Sequence, residues 1–259
     1  MSLSEYLNEY FKKANIFRND KILLHSNISK LWRDLKKQNF SFELDNIIEH
    51  LVEYLGEKGT LILPTFNFDF CNNFPYFAKS TYSQMGAFSE AGRIKAKNNR
   101  TWHPVYSFVI FGNIPNKEIE KKNYSAYGKD SIFNWITEAD GKIAIIDLPD
   151  QKSMTYYHHV EEIQKVNWRF LKSFKGEYTD FNDKKSLIDA KIYVRKIDKK
   201  IKTSVGGMEK ILWSKDLYKG HKKFSFEGCR SIKVKVLKFE VEKIIKENKA
   251  LGILYENSL

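Results

Sequence analysis

The stretch Thr155-Tyr156-Tyr157-His158-His159-Val160-Glu161 sets a hydroxyl, an imidazole and a carboxylate three residues apart. On a helix, residues at that spacing share a face. Thr155, His158 and Glu161 are then an acid–base apparatus of the kind that moves a proton during acyl transfer. The same spacing also describes a polar helix face turned to solvent, so the rest of the chain has to decide. A second candidate lies upstream. Lys21 to His25 reads as a short buried strand, Ser26-Asn27-Ile28-Ser29 as a polar turn, and Ser29 as the cap of a helix from Lys30 to Lys37. Strand, turn and helix N-terminus together form a cradle for an anion or a pantetheine arm. The glycines of a P-loop or dinucleotide fingerprint are missing. His103 sits before Pro104 at the start of a strand and, taken alone, reads as structural. Cys71 and Cys229 have neither C-x-x-C spacing nor a nucleophile elbow around them, so reduced, non-catalytic thiols are expected.

These residues need elements to hold them. Ser4 to Ala14 and Glu43 to Leu55 read as helices, the second with apolar residues at 44, 47, 48, 51, 52 and 55 and with Gly56 and Gly59 at its end. Strands are expected at Gly59 to Phe66, at 105 to 111 and at Gly141 to Asp147. Ser131 is expected to cap a short helix through Trp135. The alternation of helix and strand predicts an α/β fold with parallel neighbours. The T-x-x-H-x-x-E stretch then begins a helix just past a strand end, where open α/β sheets place their sites. Asn67 to Tyr82 is a long loop rich in Phe and Tyr, able to wall a sugar or pantetheine site or simply to anchor itself. Farther on, Ala190 to Ile197 and Ile232 to Phe239 read as strands, and Val241 to Asn248 as a helix. His159 points away from His158 and reads as structural or exposed.

Composition narrows the class. A 42% hydrophobic content, with aromatic residues making up 15% of the chain, is enough for a packed core across 259 residues. The longest apolar runs are far too short to span a bilayer, and no apolar leader opens the chain, so a soluble cytoplasmic protein is expected. No linker or repeat is visible, and residues 1–259 are read as a single domain. Residues 183 to 250 hold 20 Lys/Arg against 9 Asp/Glu, +11 of the formal +12. That concentration suits an anionic partner, or it is a solvated lysine-rich surface. No helix-turn-helix, zinc-finger or RNP pattern accompanies it, so a basic nucleic-acid-binding protein is only the alternative from another class.

Six segments, in order, resemble the aminoglycoside 3-N-acetyltransferase family, also described as antibiotic N-acetyltransferases. They are Leu24-His25-Ser26; Gly59 to Phe66; Met85-Gly86 through Arg93; Arg100-Thr101-Trp102-His103-Pro104 with Ser107; Tyr127-Gly128 with Ser131; and Thr155-x-x-His158-x-x-Glu161. The tail from Gly228 through 248 is also similar, and the likeness covers roughly residues 15 to 250. The chain departs from the family's pattern at Asn27, in the glycine-free stretch 33–42, at Thr101 and at Asp147, where the family usually has glycine.

The resemblance implies a three-layer α/β/α sandwich around a mixed central sheet. It implies transfer from acetyl-CoA or another acyl-CoA to an amine, with His158 as general base, Thr155 beside the reacting carbonyl, and Glu161 and His103 in the site. Ser26, Asn27, Ile28, Ser29 and Ser107 would meet the donor. No metal is expected, since H-E-x-x-H is absent. Charge then suggests the acceptor. Aminoglycosides are polycations, and a basic surface suits an anionic acceptor better. The leading expectation is therefore a nucleotide-linked amino sugar acylated for a surface glycan, with an aminoglycoside as the alternative. An acyl carrier protein is a possible donor for the same reason. A carboxylate beside His158 is expected to raise its pKa.

Overall fold

The structure is a computed structural model that describes residues 1–221 and 228–257. Residues 222–227 of the basic stretch lie outside the described residues. Helix α1 (Leu3–Lys13) precedes strand β1 (Lys21–Ser26), followed by α2 (Ser29–Lys37), α3 (Leu44–Leu55) and β2 (Thr60–Pro64). The aromatic loop after β2 contains a 3-10 turn (Asp69–Asn72) and the short β3 (Tyr76–Phe77). Then come α4 (Ala87–Ala96), β4 (Phe108–Gly112), α5 (Asn116–Glu120), α6 (Ile132–Glu138), β5 (Lys142–Ile146), α7 (Asp150–Ser153) and α8 (Tyr156–Ile163). The last part is β6 (Arg169–Thr179), β7 (Lys185–Arg195), β8 (Ile201–Thr203), α9 (Gly206–Ser214), β9 (Lys219–Gly220), β10 (Cys229–Lys233), α10 (Val234–Lys246) and β11 (Tyr255–Asn257).

Six strands form the central sheet in the order β4-β2-β1-β5-β10-β9. β1 is parallel to both β2 and β5, while β4 and β10 run antiparallel to their neighbours. The sheet is therefore mixed, as expected. Alternate residues of β1 feed two separate cores, because side chains on a strand alternate between faces. Ile22 and Leu24 join Leu61, Leu63, Val109, Ala144 and Ile146 under α1 to α4. Leu23 joins Ile62, Ile110, Ile143 and Ile145 under α6, α8, α9 and α10. That is the three-layer sandwich. Among the described residues no helix is long and apolar enough to cross a membrane.

This arrangement locates the site. Ser26 pairs with Ile146, so β1 and β5 end side by side. From there the chain leaves β1 into α2 on one face of the sheet and leaves β5 into α7 and α8 on the other. A crevice between parallel strands whose connections diverge is where doubly wound sheets bind ligands. A second, three-stranded sheet, β3-β6-β7, packs beside α8, with β6 and β7 pairing over 11 residues each.

Several expectations are corrected. Ile232 to Phe239 is not a strand: β10 stops at Lys233 and the helix begins at Val234. Val234, Leu237, Val241 and Ile244 are buried at helical spacing, and that longer periodicity overrides the short Ile-Lys-Val-Lys alternation. β6 was not foreseen. Its middle is exposed on both faces and so carries no period-2 signal. Residues 105–107 precede β4 rather than belonging to it. Ser29 does not cap α2: the helix starts at Ser29 itself, and Asn27 Oδ1 accepts from the Ser29 N–H at 3.1 Å. Ser131 stands at the N-cap of α6, but its hydroxyl donates back to Gly128 O at 2.6 Å.

The β5–α7 connection is held by a buried ion pair. Asp150 meets Arg230 at 2.9 Å and accepts from the Tyr157 hydroxyl at 2.6 Å and the Tyr218 hydroxyl at 2.7 Å. Removing one member of such a network leaves a buried charge without its partner. Asp150→Ala should cost about 3–5 kcal/mol of stability, measured by urea unfolding, whereas an exposed pair such as Lys219–Asp216 should cost under about 1 kcal/mol.

Candidate active site

His158 lies on the first turn of α8 with 19% of its side chain exposed, and Glu161, one turn on, is 2% exposed. His158 Nδ1 and Glu161 Oε2 are 2.8 Å apart. Two hydrogen-bond donors and one guanidinium in ion-pair contact converge on this one carboxylate. Besides His158, the Arg169 Nε stands 2.7 Å from Oε2, and the Trp168 indole donates to Oε1 at 2.9 Å. Arg169 is itself anchored, donating to Tyr193 O at 3.1 Å and to Thr203 Oγ1 at 2.9 Å.

The electrostatics follow from that arrangement. Burial works to raise the Glu161 pKa, but Arg169, His158 and Trp168 together outweigh it and hold the carboxyl below its usual range. An ionised carboxylate only accepts, so His158 Nδ1 carries the proton and Nε2 keeps its lone pair. Glu161 does push the His158 pKa up, as expected, but burial first and the Arg169 charge second outweigh it and pull His158 below the ordinary histidine value. Arg169 and Trp168 were missed in the sequence. They follow the motif by seven and eight residues, and only the turn after α8, fixed by the Tyr193 hydroxyl donating to Val166 O at 2.6 Å, brings them back.

Thr155 occupies the N-cap position of α8, half-buried, and its carbonyl accepts from the His158 N–H at 3.0 Å. His159 is buried rather than exposed, and its Nδ1 donates to Tyr127 O at 2.6 Å. His103 is fully buried. Its Nδ1 accepts from the Val105 and Tyr106 N–H groups at 3.1 and 3.0 Å, so Nε2 carries the proton and faces Lys191 O at 3.4 Å. Burial pulls this imidazole down to about 3. His103 shapes the turn that presents Tyr106 and has no free ring nitrogen.

The strand–turn–helix cradle is present. Asn27 N–H donates to Ile146 O at 2.8 Å, which ties the turn to β5. Ser26 Oγ and His25 Nε2 are buried and lack a protein hydrogen-bond partner, an observation that fits a polar ligand arriving at the end of β1. A groove of about 480 Å³ adjoins the turn, lined by Ile28, Ser29, Trp32 and Arg33. Asp147, at the matching end of β5, has a φ of +47°. That left-handed conformation suits the glycine of the family pattern and is tolerated by Asp. Cradle and base share one wall. Ring centroids step from His25 to Phe66 (6.3 Å), Tyr106 (4.7 Å), Tyr127 (4.8 Å) and His158 (5.4 Å).

Ser107 is also fully buried, and its hydroxyl is committed. It donates to Thr65 O at 3.1 Å and accepts from Arg100 Nε at 3.0 Å. Neither thiol offers a nucleophile, since burial pushes Cys71 up to about 11 and Cys229 to about 12. Among the described residues no three His, Cys, Asp or Glu side chains gather as metal ligands. Ser107→Ala should therefore cost about 1–3 kcal/mol, the price of an unsatisfied Arg100 donor, in denaturant unfolding, with the KM for acyl-CoA unchanged. A raised KM at full stability would instead put Ser107 against the donor.

The sequence model of the aminoglycoside 3-N-acetyltransferase family matches residues 23–211. Among curated proteins none matches the chain in sequence. Solved structures share its fold. AAC-IIIb in binary complex with CoASH is 13% identical, with a TM-score of 0.77 over 95% of this chain and 96% of that one. The YokD protein of Bacillus subtilis is 15% identical, with a TM-score of 0.73 over 95% of this chain and 99% of its own. AAC-VIa bound to sisomicin is 13% identical, with a TM-score of 0.73 over 97% and 99%. With the match running from β1 into α9 and enclosing both the cradle and the His158–Glu161 pair, the chain belongs to the aminoglycoside 3-N-acetyltransferase family of acyl-CoA-dependent N-acyltransferases.

Proposed function

We propose that this chain transfers the acyl group of acetyl-CoA, or another acyl-CoA, to an amine of an aminoglycoside-type amino sugar, with His158 as general base. The observation that carries this reading is the 2.8 Å contact between His158 Nδ1 and an ionised Glu161, which assigns the proton to Nδ1 and the lone pair to Nε2. An amino-sugar nitrogen is largely protonated near neutral pH and must lose a proton to attack. One proton of the ammonium goes to solvent, and His158 Nε2 takes a second from the neutral amine as its nitrogen bonds to the thioester carbonyl, then passes it to the sulfur as the C–S bond breaks, leaving a neutral amide and a free thiol. Thr155, at the start of α8, donates to the carbonyl oxygen while negative charge builds there. Glu161 fixes the imidazole. Its three partners and its burial leave no oxygen for the incoming ammonium.

Ser26, Asn27, Ile28 and Ser29 hold the donor's pantetheine or phosphate groups, with Ser26 Oγ as the buried hydroxyl that meets it. Trp32 and Arg33 extend the same surface toward a nucleotide moiety. His103 and Ser107 act from behind the wall by holding Tyr106 and Arg100. We read the chain as one acyltransferase domain working in the cytoplasm, beside the acyl-CoA pool.

The acceptor preference follows the family rather than the charge. Part of the basic stretch that pointed to a nucleotide-linked sugar or an acyl carrier protein is ion-paired along α10 and its flanking turns. Lys215 meets Glu240 at 2.5 Å, Lys238 and Lys246 flank Glu242, and Lys243 and Lys249 flank Glu247. Such pairs describe a solvated helix face. The family match and the sisomicin complex of AAC-VIa support an aminoglycoside-class acceptor.

A thiol-release assay with acetyl-CoA and a panel of aminoglycosides and nucleotide-linked amino sugars tests both parts. Turnover is expected with aminoglycosides, and turnover confined to nucleotide sugars would reverse the choice of acceptor. His158→Ala should lower kcat by roughly 10²–10⁴-fold without changing the melting curve, and wild-type rates in that variant would remove the proposed base.

A further inference from the structure

One carboxylate oxygen is shared by an imidazole and a guanidinium, which bears on the chemistry. We propose that Arg169 is a positioning residue that sets the protonation state of the active pair, keeping Glu161 ionised while leaving His158 neutral. This rests on the reading of His158 as the base.

The argument is geometric. Arg169 Nε and His158 Nδ1 approach the same oxygen, Glu161 Oε2, at 2.7 and 2.8 Å. A lone buried carboxylate beside an imidazole would share its negative charge with that imidazole and favour a neutral-to-ionic switch, His158 gaining a proton. With a guanidinium already on the oxygen, a second full positive charge 2.8 Å away would sit beside a cation and gain little. Arg169 is placed firmly enough for this. Its side chain is 5% exposed, and its two terminal nitrogens are taken by Tyr193 O and Thr203 Oγ1. The other groups facing His158 reinforce the effect. Arg195 of β7 lies opposite Arg169 in the strand register and adds a further positive charge. Tyr127 packs at 5.4 Å and is held neutral by burial. Glu162 turns away and accepts from the Ser125 hydroxyl at 2.6 Å. The direction of the His158 shift, downward from burial and then from Arg169, agrees with this geometry.

The test uses the full chain with Arg169→Met and Arg169→Lys, read in two ways. First, the His158 titration is followed by NMR on histidine-labelled protein, with the resonance assigned by its loss in His158→Gln. Arg169→Met should raise the His158 midpoint, because the unneutralised Glu161 then favours the imidazolium. Arg169→Lys keeps the charge and should leave the midpoint near that of the wild type. Second, the rate relative to wild type is measured against pH with one acceptor. For Arg169→Met this ratio should be lowest at mildly acidic pH and climb toward one at alkaline pH, where His158 becomes neutral again. The titration of the amine itself cancels in the ratio.

A flat ratio, or an unmoved midpoint in Arg169→Met, would reduce Arg169 to a purely structural role. If Arg169→Met does not fold, Arg169→Lys still decides: a clearly shifted His158 midpoint there would show that the fork, not the charge, is what matters, and would overturn the proposal. Failure of the acyltransferase reading is separable, since the NMR titration reports on His158 whether or not any acceptor turns over.

Discussion

A carboxylate withdrawn from water must be compensated, and Glu161 meets that constraint with two hydrogen-bond donors and a guanidinium in ion-pair contact. Much of the local chain serves it. Helix α8 supplies His158 from one turn before, the turn after α8 supplies Trp168, and the first residue of β6 supplies Arg169. Tyr193, across the register on β7, pins that turn through Val166 and accepts from Arg169 through its carbonyl. The second sheet is thus tied to α8 through Glu161. The imidazole receives its tautomer from the same source, since an acceptor that cannot donate leaves Nδ1 only one role.

The legible parts of the fold were those with a local signal. β1, β2 and β5 are short runs with an apolar centre bounded by turn residues, and α3 repeats its apolar positions at helical spacing, so each could be placed within about two residues. The pairing of His158 with Glu161 followed from i, i+3 geometry alone. What escaped depended on tertiary contacts. β6 carries exposed side chains on both faces for most of its length. Arg169 resembles any surface arginine until the chain reverses after α8. His103 and Ser107 stood out by type and by family pattern, yet their surroundings assign every polar atom to a protein partner, which no spacing rule reveals.

Net charge was the least informative property. A sum over residues 183 to 250 cannot distinguish a cationic binding face from lysines interleaved with glutamates on a helix. α10 is the second case: Glu240, Glu242 and Glu247 each sit among the lysines of α9 and α10 or their flanking turns. Charge bears on a partner only where it is unpaired and faces a concavity.

The divergence of the chain at the ends of β1 and β5 also bears on how such an enzyme can change. The turn proposed to meet the donor is backed by the core under α1 to α4, and the proposed base by the core under α6, α8, α9 and α10. These are separate sets of packed side chains, divided by the sheet. A substitution that repacks one layer away from the shared wall of Phe66, Tyr106 and Tyr127 has few neighbours in common with the other, and effects at sites without shared partners tend to add. Donor and acceptor preferences then become separable traits. A lineage can explore new amines by remodelling one side of the sheet while its grip on the thioester, inherited through the other side, stays as it was.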